Sequence, residues 1–202
     1  MTNPPAAPRV ARADELHRVV QILVGAFYDD PTWAWVFPDP QQRYKQQRRL
    51  WQLQVQGAVR YPGAVWLSAD ATATALWIPP GGTELSAAQE SELEQLLTEL
   101  LGADADRLVA AFQVFTDARP TGDDFYYLTM LGTDPQHRGH GHGLRLLHDT
   151  LQTSDRAGAC AYLEASNPAN VDLYARFGFR PHSTFQLPRD GPQITTMWRG
   201  PR

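Results

Sequence analysis

The chain has 202 residues, of which 43% are apolar and 20% charged, with six Trp, seven Tyr and eight Phe. That is enough apolar chain to bury a core without a disulfide or a metal, and it excludes a disordered, collagenous or coiled-coil protein. Eighteen Lys and Arg against twenty-two Asp and Glu leave a net charge of −4, so no global positive field exists to hold a nucleic acid or an anionic membrane surface.

Residues 1–8, rich in Pro and Ala, read as a flexible lead-in, and Arg9 to Arg12 as a short first strand. From Asp14, expected as an N-cap, Leu16, Val19, Val20, Leu23 and Phe27 fall on one helical face that stops near Asp29-Asp30-Pro31. Trp33, Trp35, Val36 and Phe37 are too short a run for an isolated helix and should pack against core or ligand. A long helix is expected from Gln41 to about Tyr61, with Tyr44, Trp51, Val55, Ala58 and Val59 along one side. Ala64 to Leu67 and Thr72 to Ile78 read as a hairpin. Ser86-Ala-Ala-Gln89 is a capping-box pattern ahead of Leu93, Leu96, Leu97, Leu100 and Leu101, and a second helix is expected from Asp104 to about Asp117.

Phe125 to Leu131 is apolar on both faces, as a central strand covered on each side must be. A helix carrying Leu144, Leu147 and Leu151 follows, then a strand Ala161 to Ala165, a short helix Pro168 to Phe177, and two strands around Phe179 to Leu187 and Gln193 to Trp198. No repeat or linker divides the chain. The expectation is one α/β domain over residues 9–202, a mixed sheet with helices on both faces, enlarged by a helical pair at 86–118.

The lone Cys160 permits no intramolecular disulfide, and Met1 to Pro5 lacks the charged and apolar regions of a secretory signal, so a reducing cytoplasm is the expected compartment. The longest stretch without Asp, Glu, Lys or Arg, Ala71 to Thr83, falls short of the roughly 20 apolar residues of a membrane span.

Chemistry concentrates in Gln136-His-Arg-Gly139-His-Gly141-His-Gly143, between a buried strand and an amphipathic helix. There the unpaired N–H groups and positive end of a helix attract phosphate, glycines allow close approach, and Arg138 adds a charge. The segment lacks the GKS or GKT ending of a Walker loop, and its spacing misses the GxGxxG fingerprint, which disfavours ATP and NAD. Nor do His137, His140 and His142 have the spacing or the Cys and carboxylate company of a metal site. Downstream, Asn167 before Pro168 is an N-cap, and Asn170 and Tyr174 share a helical face.

Gln136-x-x-Gly139-x-Gly141 after a strand, with Asn170-x-x-x-Tyr174 and Phe177-Gly178-Phe179 downstream, resembles the acetyl-CoA motif pair of the GNAT superfamily of N-acetyltransferases. Tyr162-Leu-Glu-Ala-Ser-Asn and the helical pair before Phe125 resemble, more narrowly, its puromycin N-acetyltransferase-like branch. The resemblance implies a twisted, mostly antiparallel sheet of about six to seven strands. It implies that Leu131, Gly132 and Thr133 bond the pantetheine of coenzyme A, that amides from Arg138, Gly139, His140, Gly141, His142, Gly143 and Leu144 hold its pyrophosphate, and that Asn170 and Tyr174 touch the cofactor.

Acetyl transfer to an amine needs a neutral amine, although an alkyl ammonium has a pKa near about 10.4; it also needs a donor to the oxyanion and a proton for the departing thiolate. The candidates are Glu164 as base, with Asp29, Asp30 or Tyr126 as alternatives, a strand N–H at Leu131 or Gly132 as donor, and Tyr174 as acid. The expected acceptor is a small-molecule amine, with the aromatic run and the 86–117 pair walling its pocket. A non-catalytic acyl-CoA-binding module and a nucleotide-binding regulator are the rival readings. Family members often pair, which makes a homodimer one expectation that no sequence feature decides.

Overall fold

Seven strands form one sheet in the order β1-β2-β3-β4-β5-β7-β6. They are β1 (Arg9–Val10), β2 (Val65–Leu67), β3 (Ala73–Ile78), β4 (Phe125–Thr133), β5 (Cys160–Ala165), β6 (Arg180–Gln186) and β7 (Gln193–Arg199). The coordinates are a computed structural model that describes residues 6–102, 105–122 and 125–202. Every neighbouring pair is antiparallel except β4 and β5, which the chain joins through helix α6 (His142–Arg156), a crossover that returns it in the same direction.

Helices cover both faces because the central strands are apolar on both. On one face α1 (Leu16–Phe27) and α3 (Pro40–Ala58) place Val19, Ile22, Leu23, Leu50 and Trp51 against Leu76, Ile78, Met130 and Tyr162. On the other, Leu146, Leu147 and Leu151 of α6 pack on Ala75, Trp77, Leu128, Leu163 and Met197. The strict alternation of Ala75 and Trp77 with Leu76 and Ile78 sends successive β3 side chains into opposite cores. Helices α4 (Ala87–Leu101) and α5 (Ala105–Ala118) intervene between β3 and β4 and pack on the α1/α3 side, through Leu97, Leu108 and Ala111. The Ser86–Gln89 capping box that starts α4 is formed in full. Among the described residues no helix is long and apolar enough to cross a membrane.

The structure corrects several local expectations. Asp14 does not cap α1: a 3₁₀ turn at Ala13–Glu15 precedes the helix, and Glu15 accepts the Arg12 N–H at 3.0 Å while Asp14 pairs with the Arg12 side chain. Residues 31–36 do form a short helix, α2 (Pro31–Val36), because Asp30 accepts from Thr32 N and Trp33 N and Pro31 presets the first turn. Helix α3 ends at Ala58, and Tyr44 and Val59 are 52% and 42% exposed rather than on its buried side, which Gln47, Leu50, Trp51, Val55 and Ala58 supply. The expected 168–177 helix divides into a 3₁₀ turn at Pro168–Asn170, capped by Asn167, and α7 (Val171–Ala175). The expected helix start at Asp104 and residues 1–5 of the expected lead-in lie outside the described residues.

Candidate active site

The site is built where β4 and β5 part. Their pairing ends at Leu128 opposite Leu163, yet β4 runs on to Thr133 and β5 to Ala165. The register between β3 and β4 slips there: Leu76 faces Met130 and Trp77 faces Leu128, which leaves Thr129 as the extra residue of a β-bulge. A bulge bends its strand and raises the local twist, so it turns the far half of β4 away from β5. Asp134 N donates to Thr72 O at 2.8 Å, and this sets the phase of the antiparallel ladder. Counting back by twos, Gly132 and Met130 bond β3, whereas the N–H and C=O groups of Leu131 and Thr133 point into the gap. Of the two expected backbone donors, Leu131 is therefore the one presented to the gap.

Below the gap, the glycine segment turns back through left-handed φ values of +82° at Gly139 and +78° at Gly141, and Gly141 becomes the N-cap of α6. At Gly143 a Cβ would stand 2.5 Å from Thr133 Oγ1, so the first turn of α6 lies directly against the end of β4. Arg138 is held to the end of α1 by donating to Ala26 O at 2.9 Å and Gly25 O at 3.2 Å. A cleft of about 560 Å³ is lined by Leu131, Gly132, Thr133, Arg138, Gly139, Gly141, His142, Gly143, Leu144, Asn170 and Tyr174. These are eleven of the twelve residues expected there. His140 instead lines a neighbouring depression with Ser68, Asp70 and Arg145, which shares Gly141 and His142 with the cleft. Sequence reasoning missed Ala26, Phe27, Asn167 and Leu173 in the cleft wall, which the end of α1, the turn after β5 and α7 supply. The open β4 edge, the glycine turn and the 15-residue α6 with its N-terminus at the cleft can hold an extended ligand with an anionic group at one end.

A second, smaller cavity of about 110 Å³ shares Phe27, Leu131, Asn170 and Tyr174 with the cleft. Phe27, Trp33, Trp51, Phe112 and Phe115 give it an aromatic wall, in which Trp33 meets Trp51 edge-on at 4.4 Å between centroids. The aromatic run thus serves both core and cavity, and α5 closes one side with Phe112, Phe115 and Thr116. Trp35 is outside the lining and lies under the Arg107 guanidinium at 5.6 Å.

Glu164 projects into this cavity. Its Oε2 accepts a short hydrogen bond from Tyr127 Oη, and its Oε1 accepts from Tyr162 Oη at 2.8 Å. Arg119, whose guanidinium stands 4.5 Å over the Tyr127 ring, donates to Glu84 at 2.6 Å. Burial raises the Glu164 carboxyl to about 7, against the opposing pull of the Tyr127 hydrogen bond and the Arg119 charge. Burial also raises Tyr174 to about 12, with the Asp30 charge adding to the effect. The alternative bases are placed elsewhere. Tyr126 lies on the opposite sheet face with Trp77 and Thr150, and Asp29 and Asp30 line the cleft rather than the cavity. Asp30 is moreover committed to the α2 cap and to Ser166 Oγ at 2.9 Å.

Tyr127, Tyr162, Arg119 and Glu84 escaped the sequence reading. One signal was present: Tyr162 and Glu164 are two apart on a strand and must share a face. Arg119 and Glu84 are 35 residues apart and carry no such local mark.

A family model described as the Acetyltransferase (GNAT) family matches residues 26–179. The chain is 26% identical over 199 residues to an uncharacterised N-acetyltransferase of Schizosaccharomyces pombe, which covers 94% of this chain and 80% of that protein. Its fold is shared by the Corynebacterium glutamicum structure described as histone acetyltransferase HPA2 and related acetyltransferase, with a TM-score of 0.73, 23% identity and 98% of each chain covered. It is shared also by the Drosophila melanogaster polyamine N-acetyltransferase, with a TM-score of 0.62, 16% identity, and 96% of this chain and 99% of that one covered. With most of its length matched by the family model, and with the parted strands and glycine turn in place, this chain belongs to the GNAT acetyltransferase family.

Proposed function

We propose that the protein transfers an acetyl group from acetyl-CoA to the primary amine of a small molecule, by direct attack with both substrates bound, and that residues 9–202 act as one unit with 86–118 inserted. The observation that carries this reading is the meeting of cleft and cavity at Leu131, Asn170 and Tyr174, with Glu164 on the cavity side. Acetyl-CoA supplies an activated acyl thioester, and the donor set fits it. Gap-facing groups of Leu131 and Thr133 can bond an amide-bearing arm, and the turn from Arg138 to Leu144 can take the pyrophosphate, since no described residue beyond the chain neighbours stands within 4 Å of where a Cβ would sit at Gly139 or Gly141 and the backbone there lies open. Glu164 withdraws a proton from the acceptor ammonium, Leu131 N–H faces the gap as a hydrogen-bond donor, and Tyr174 Oη holds the proton a departing thiolate needs.

The cavity also defines the acceptor. Among the described lining residues Glu84 forms the salt bridge to Arg119, whereas Glu164 feels that charge without a salt bridge of its own. An aromatic wall around about 110 Å³ suits a single ammonium on a ring-sized apolar body. The single Cys160 favours a reducing, cytoplasmic setting. Thiol release from acetyl-CoA, measured with 2-phenylethylamine, agmatine, spermidine and a lysine peptide, tests the reading. Preference for phenylethylamine is expected. Acetyl-CoA binding without turnover of any amine would instead indicate a non-catalytic acyl-CoA-binding module.

A further inference from the structure

We propose that Tyr127 is a second catalytic residue, which takes the acceptor's proton at its phenolic oxygen while passing its own proton to Glu164. The inference rests on the acetyl-transfer reading and concerns how the proton reaches the base. Each oxygen of the Glu164 carboxylate already accepts from a phenol, Oε2 from Tyr127 and Oε1 from Tyr162. The two phenols are not equivalent: Tyr127 lines the acceptor cavity and Tyr162 does not. Tyr162 holds the carboxylate from outside, whereas Tyr127 stands beside it in the wall of the space the amine enters.

A phenol that donates its only proton keeps lone pairs that can accept, and donation to a carboxylate strengthens that acceptor. The Tyr127 ring is held for the task between the Arg119 guanidinium at 4.5 Å and the Tyr162 ring, whose centroid is 5.5 Å away. The charged and titratable groups that bear on Glu164 are Tyr127 on β4, Tyr162 on β5, Arg119 just beyond α5 and Glu84 just before α4. Thr196, its partner on β7, is neutral.

The step balances. One N–H bond of the ammonium breaks and an O–H bond forms at Tyr127 Oη; the former Tyr127 O–H bond breaks and an O–H bond forms at Glu164 Oε2. The ammonium becomes a neutral amine, the carboxylate becomes a carboxylic acid, and tyrosine ends as it began. Burial lifts the Tyr127 phenol well above its usual range, so the two transfers are concerted and no free tyrosinate forms.

The test compares kcat/KM against pH for Tyr127→Phe and Tyr162→Phe, using acetyl-CoA and the best-acetylated amine of the panel above. Each variant removes a donor to the carboxylate, so both should move the acid-side break above the wild-type value of about 7. Only loss of the relay lowers the plateau, so Tyr127→Phe should fall about tenfold or more below Tyr162→Phe there. Equal plateaus, or a Tyr127→Phe plateau matching wild type, would overturn the relay. If Tyr127→Phe does not fold, 3-fluorotyrosine at position 127 preserves the packing with a more acidic phenol. A changed plateau is then expected, and an unchanged one overturns the proposal. Glu164→Gln separates the two claims: a profile unchanged in that variant defeats Glu164 as base, whereas a Glu164-dependent profile with a wild-type Tyr127→Phe plateau defeats the relay alone.

Discussion

Replacing Glu164 by Gln keeps the side-chain volume and the acceptor oxygen for one tyrosine while removing the titrating group. With a carboxyl near about 7, the charged fraction is about one-tenth at about pH 6 and about nine-tenths at about pH 8, so wild-type kcat/KM should rise roughly tenfold across that interval and then level. The variant must wait for free amine, whose fraction rises about tenfold per pH unit toward about 10.4, so its kcat/KM should climb about a hundredfold over the same interval from a base about 10²–10⁴-fold lower. Stability supplies an independent reading. The folded carboxyl is raised from 4.5 to about 7, so it binds its proton more tightly in the folded state. Its contribution is fully present below about pH 4.5 and is lost as pH rises through about 7, with a ceiling of about 3 kcal/mol. Wild type should thus lose stability relative to Glu164→Gln between those limits, in denaturant titrations run in parallel. A variant that keeps both the tenfold kinetic rise and the wild-type stability slope would refute the assignment.

Tyr174→Phe should lower kcat about a hundredfold with acetyl-CoA affinity by calorimetry nearly unchanged, because the phenol rather than the ring is the proposed proton donor; unchanged turnover would remove it as the acid. Gly141→Val forces a branched side chain into a φ of +78°, a strain of about 1–2 kcal/mol at the cap of α6. Acetyl-CoA binding should be lost while circular dichroism stays native, and retained affinity would count against the pyrophosphate site. Asp30→Ala removes the cap of α2 and the tie to Ser166, which should cost about 1 kcal/mol and lower Tm by about 2–4 °C. Leu147→Ala, at a position with no exposure between α6 and the sheet, should cost about 2–5 kcal/mol in urea unfolding with the active-site residues untouched.

Much of this molecule was legible in order along the chain, because the physics involved is local. A capping box needs only Ser86 and Gln89, an N-cap with a first-turn proline only Asn167 and Pro168, and a left-handed turn only its own glycines ahead of an amphipathic helix. The apolar run of Phe125 to Leu131 likewise told that this strand would be covered on both faces. Local signals misled where short-range competition decided the outcome, as when Glu15 rather than Asp14 accepted the Arg12 N–H ahead of α1, or when a six-residue helix formed around Trp33 on the strength of its Asp30 cap.

The gap, the aromatic cavity and the hydrogen bonds around Glu164 belong to the tertiary structure alone. The opening depends on a register slip opposite Leu76, which only two paired strands can express, and the ladder phase that selects Leu131 depends on Thr72 meeting Asp134. Glu164 owes its raised pKa to burial among Tyr127, Tyr162, Arg119 and Glu84, groups that chain closure brings from four separate segments. Composition and spacing therefore located the glycine turn and the helix behind it, where a phosphate-bearing cofactor is proposed to bind. The raised pKa that makes Glu164 the proposed base comes from desolvation, which exists only once the chain has folded around it.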